Sequence, residues 1–120
     1  MIGFYLHHHG SGHRVRGTLL ARALDRPVTG LGTGGAPDGW PGDWVELARD
    51  DDGAVVDPTA GGTVHWAPAG HAGLRARMGA VSSWVAGADP ALLVVDVSVE
   101  VALLARLHGV RCVVTAMPGD

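Results

Sequence analysis

The run Ala91–Val95 (ALLVV) constrains this chain most. Extended, it is apolar on both faces, and only a sheet covered on both sides can bury such a strand. It ends at Asp96. The stretch after it, Ser98–His108, carries Val101, Leu104 and Ala105 at helical spacing, with Gly109 as a stop. Val110–Thr115 is apolar again. Strand, helix and strand in that order make a parallel unit with a crossover helix.

The same pattern opens the chain. Ile2–His7 (IGFYLH) reads as a buried strand, followed by a turn with two glycines, His8-His9-Gly10-Ser11-Gly12-His13. From Arg14 the period is helical: Val15, Leu19 and Ala23 form a stripe, with Leu20 and Leu24 beside it and Arg14, Arg16 and Arg22 facing solvent. Pro27 ends the helix near Asp25. Pro27–Leu31 reads as a second strand. Gly32–Asp43 holds five Gly and two Pro and reads as a loop. Asp43–Ala48 reads as a third strand, and Arg49–Gly70 as a long polar loop with a solvated turn at Asp50–Asp52. His71–Ala86 reads as a helix with a stripe of Leu74, Met78, Val81 and Val85. The expected fold is α/β, a doubly wound parallel sheet of Rossmann-like type with strand order 3-2-1-4-5.

That order predicts a site. The first and fourth strands lie side by side, and their connections leave in opposite directions, which opens a crevice at their carboxyl ends. His13 and Asp96 then face each other from distant parts of the chain. A histidine beside a carboxylate is held in one tautomer and becomes a better base. The glycines allow backbone N–H groups to approach a ligand at a helix start. The spacing is not a dinucleotide fingerprint, because Val15 stands where Gly or Ala is wanted. A Walker A loop is excluded, because all nine basic residues are Arg.

The net charge of −3 and the scattered arginines argue against a nucleic-acid partner. A single cysteine, Cys112, fits a reducing compartment. No apolar run approaches the roughly 20 residues of a bilayer span. A soluble cytoplasmic protein is expected, with membrane contact at most peripheral. His7, His8 and His9 do not make a metal site by themselves: strand alternation sends His8 to the opposite face from the other two, and no thiolate is at hand. Trp66, between His65 and His71, reads as a loop anchor, with stacking on a sugar as the other reading.

The run FYLHHHGSGHRVRGTLLARAL resembles the amino terminus of GT-B fold glycosyltransferases, in the bacterial branch that adds N-acetylglucosamine to lipid-linked peptidoglycan precursors. The run LLVVDVSVEVALLARLHGVRCVV is similar to a later strand, helix and strand of the same domain. Together they cover about a third of the chain. The resemblance implies that residues 1–120 are the acceptor-binding amino-terminal domain, short of its full length, with the donor-binding domain absent. It implies transfer of a sugar from a nucleotide-sugar donor, bound by the missing domain, to a small-molecule or lipid-linked acceptor, without metal or cofactor. By resemblance His13 is the general base and Asp96 its orienting partner. His9, Gly10, Ser11, Gly12, Arg14 and Ser98 are assigned to substrate binding. The alternative is a non-catalytic α/β module that holds a nucleotide or other anion at the glycine turn.

Overall fold

The computed structural model describes residues 1–8 and 11–115. The chain runs β1 (Ile2–Tyr5), α1 (Ser11–Ala23), β2 (Val28–Gly32), β3 (Asp43–Glu46), a 3-10 turn (Ala60–Gly62), α2 (Ala72–Ala88), β4 (Leu92–Asp96), α3 (Val99–Leu107) and β5 (Cys112–Thr115). The five strands form one parallel sheet in the order β3-β2-β1-β4-β5. This is the doubly wound, Rossmann-like arrangement that the sequence spacing predicts, with β1 and β4 adjacent at its centre.

Each face of the sheet has its own core. On one face Tyr5, Leu31, Leu93 and Val95 pack against Val81 and Val85 of α2 and Val101 and Ala105 of α3. On the other, Ile2, Phe4, Leu6, Val28 and Val94 pack against Ala21 of α1. The alternation of β1 therefore divides its side chains between a face with two helices and a face with one.

Helix α1 differs from its expected form in two ways. It begins at Ser11, so His13 sits in its first turn and not in the preceding loop. Its buried side is Gly17, Thr18 and Ala21, while Val15, Leu19 and Leu20 are exposed. The cause is close packing: a Cβ on Gly17 would collide with the Leu6 side chain. Small residues let the helix lie against β1, and the larger apolar ones turn outward. Val113 and Val114 of β5 are about half exposed.

Helix α2 also buries something unexpected. Val81 and Val85 are buried, but so is Arg77, which is 1% exposed. Its Nε donates to the Tyr5 hydroxyl at 2.7 Å, and its Nη1 donates to Thr33 Oγ1 at 2.5 Å and to the Ala48 carbonyl at 3.0 Å. The guanidinium also lies 5.0 Å from the Tyr5 ring centroid. Burial pushes the Tyr5 hydroxyl above its ordinary range, and the Arg77 charge pulls partly against that. No helix among the described residues is long and apolar enough to cross a membrane.

Candidate functional site

The carboxyl ends of β1 and β4 hold a compact polar constellation. Asp96 closes β4 and is buried. Its Oδ2 lies 2.8 Å from His13 Nδ1 and accepts the His7 backbone N–H at 3.3 Å. Its Oδ1 accepts from Arg16 Nη2 and from Thr115 Oγ1, each at 3.3 Å. The carboxylate thus has partners on β5, on α1 and just beyond β1. It also faces the first turn of α1, where the helix dipole favours a negative charge.

The backbone behind Asp96 is unusual. Val97 has φ +67°, rare for a β-branched residue, and the Ser98 N–H bonds back to the Asp96 carbonyl at 2.9 Å. The Val97 N–H reaches the Thr115 carbonyl at 3.0 Å. This tight turn lets β4 end and α3 begin within two residues. Ser98 then caps α3, its Oγ accepting from the Val101 N–H at 3.2 Å.

The His13 ring chooses between two neighbours. Its Nδ1 lies 2.8 Å from Asp96 Oδ2 and 3.3 Å from Arg16 Nη2. Guanidinium only donates and carboxylate only accepts, so Nδ1 cannot satisfy both. The shorter carboxylate contact assigns the proton to Nδ1. That leaves Nε2 as the basic nitrogen, in a side chain that is 21% exposed. His13 lines a cleft of about 380 Å³, together with Phe4, Leu6, Leu20, Val94 and Val114. This volume lies within the usual range for small-molecule sites. Tyr5 and Gly17 also line the cleft, and its ionisable and hydroxyl-bearing residues besides Tyr5 are His13, Arg16, Asp96 and Thr115.

The other assigned residues lie elsewhere. Arg14 points away from Asp96: its guanidinium donates to the carbonyls of Thr33 and Gly35 at 2.9 and 2.6 Å and lies over the Trp44 ring. Arg16, which the sequence pattern sends to solvent, is the arginine that reaches the carboxylate. Ser98 lines a different cavity, on the α2/α3 face. Ser11 and Gly12 open α1. His9 and Gly10 lie outside the described residues.

That second cavity, of about 100 Å³, is lined by Tyr5, His7, His8, Asp50, His65, Trp66, Met78, Ser98 and Glu100. Its outer wall is the long loop. Trp66 anchors that loop, donating from Nε1 to the Asp50 carbonyl at 3.0 Å and from its backbone N–H to the Glu100 carboxylate. His71 caps α2: Nδ1 accepts from the Leu74 N–H at 3.1 Å, which leaves Nε2 to donate to the Asp52 carbonyl at 2.6 Å. Asp50 is buried, contrary to the solvated turn expected of Asp50–Asp52. Loop closure, which no local pattern encodes, puts it there.

No protein-family model matches the chain, and no curated protein matches its sequence.

Proposed function

We propose that this chain is the acceptor-binding half of a GT-B type glycosyltransferase and that the His13 cleft holds the acceptor. The 2.8 Å contact between His13 Nδ1 and Asp96 Oδ2, at the wall of an apolar cleft, carries this reading. In the reaction the acceptor hydroxyl gives its proton to His13 Nε2 as its oxygen bonds to the anomeric carbon. The bond from that carbon to the nucleoside diphosphate breaks, and the diphosphate leaves with the electron pair. Asp96 keeps the proton on Nδ1 and stabilises the imidazolium that forms. Arg16 and Thr115 fix the carboxylate, so little reorganisation is needed. The apolar wall suits an acceptor whose hydroxyl sits on a largely apolar body. The nucleotide sugar has no part in this cleft and belongs to a donor-binding domain.

Calorimetric titration of the chain with short-chain alkyl glycosides and with uridine and thymidine diphosphates tests this. The glycosides should bind saturably, and His13→Ala should weaken them at least tenfold while circular dichroism shows the fold intact. The nucleotides should give no heat. Saturable nucleotide binding with silent glycosides would replace this reading with an anion-binding module at the start of α1.

A further inference from the structure

We infer that His8, Asp50 and Asp51 form a binding site for a divalent transition cation, separate from the His13 cleft. The three side chains come from two segments, the end of β1 and the loop after β3. Each offers one donor atom, and the three atoms lie within 4.8 Å of one another. All are largely shielded, with side-chain exposures of 9%, 11% and 15%.

The spacing accommodates a cation. His8 Nε2 is hydrogen-bonded to Asp51 Oδ2 at 3.2 Å and lies 3.8 Å from Asp50 Oδ1. A charge-assisted N–H···O bond is shorter, about 2.7–2.9 Å. Two donors bound at about 2.1 Å to one tetrahedral ion stand about 3.4 Å apart. The observed separations bracket that value. One ring nitrogen also carries at most one proton and cannot serve both carboxylates. A metal in place of that proton serves both.

A second observation concerns the surroundings. His8 and Asp50 border the 100 Å³ cavity, which His65 and Glu100 also line. The charges around the cluster are Arg77, whose Nε is 3.7 Å from Asp50 Oδ2, Arg49 on Asp51 at 3.0 Å, and Glu100 across the cavity. Arg77 spends its hydrogen bonds on Tyr5, Thr33 and Ala48 and stays. Arg49, 57% exposed, donates from Nε to Asp51 Oδ1 and from Nη2 to Oδ2, so a metal on Oδ2 must displace the second bond. An imidazole with two carboxylates suits Zn²⁺ better than Ca²⁺ or Mg²⁺, which prefer all-oxygen sets.

The test is titration of the full chain with Zn²⁺ alone, followed by calorimetry and thermal melting. One Zn²⁺ per chain should bind and raise the melting temperature, with excess Mg²⁺ unable to compete. His8→Ala and Asp51→Asn should each weaken binding at least tenfold. Chelation by the histidine run alone would survive Asp51→Asn, and that result overturns the site. So does the absence of binding at about 1 mM Zn²⁺. Should the Asp51 variant not fold, X-ray absorption on the Zn²⁺-loaded natural chain decides. One imidazole among oxygen donors supports the site, and two or three imidazoles refute it.

Discussion

The cleft at His13 and the cavity at His8 are both reached from the carboxyl end of β1, on opposite faces of the sheet. They are built differently. The first rests on regular elements: His13 in the opening turn of α1, Asp96 at the end of β4 and Thr115 on β5. The second depends on a loop, held by the Trp66 bond to Glu100 of α3, by His71 at the cap of α2 and by the buried Arg77. The first offers about 380 Å³ and the second about 100 Å³. The contrast teaches that sheet topology alone can assemble a site, whereas a site made by a loop needs a buried polar anchor to hold it.

Substitutions can break that contrast one side at a time. The largest effect belongs to Arg77→Met. It strands the Tyr5 hydroxyl, the Ala48 carbonyl and Asp50, and a broken buried network of this kind costs about 3–5 kcal/mol. Urea unfolding measures it, and a loss under about 1 kcal/mol would show that the loop holds without its anchor. Next comes Gly73→Ala. Its Cβ would collide with the Arg49 carbonyl, so the Arg49–Asp52 segment must move. The expected cost is about 1–3 kcal/mol, as for other overpacked positions. Amide shifts should change around Asp50 and stay unchanged around Asp96, and equal changes at both would erase the contrast.

The smallest effect is a pH response at the far end of the sheet. The Glu46 carboxylate works against partial desolvation but accepts from Trp44 Nε1 and from the Gly34 and Gly35 N–H groups, and Arg14 adds a favourable charge. Its pKa is lowered overall, so these bonds are in place above the ordinary glutamate range and are lost as pH falls through the depressed value. The Gly34 and Gly35 amide resonances should therefore titrate below the usual glutamate midpoint. A midpoint at or above that range would remove the clamp.

The sequence carried the strand order and the pairing of His13 with Asp96 because both follow from apolar runs alternating with helical periods. It misled on α1, where counting large apolar residues pointed to Val15 and Leu19. Packing instead selected the small Gly17, Thr18 and Ala21, and the distance from helix to strand is not written in hydrophobicity. It was silent on Arg77, since burial of a guanidinium requires Tyr5 of β1 and Thr33 and Ala48, just beyond β2 and β3, to converge on it. Asp50 and Asp51 looked like a solvated turn for the same reason: their partner His8 is distant in sequence, and no periodicity links them.

Nitrogen-15 NMR of the histidine rings tests the His13–Asp96 pair most directly. The account predicts that neutral His13 carries its proton on Nδ1, the form a free imidazole disfavours, and that Asp96→Asn returns it to Nε2. A natural chain with His13 protonated on Nε2, or a tautomer indifferent to Asp96→Asn, would contradict it.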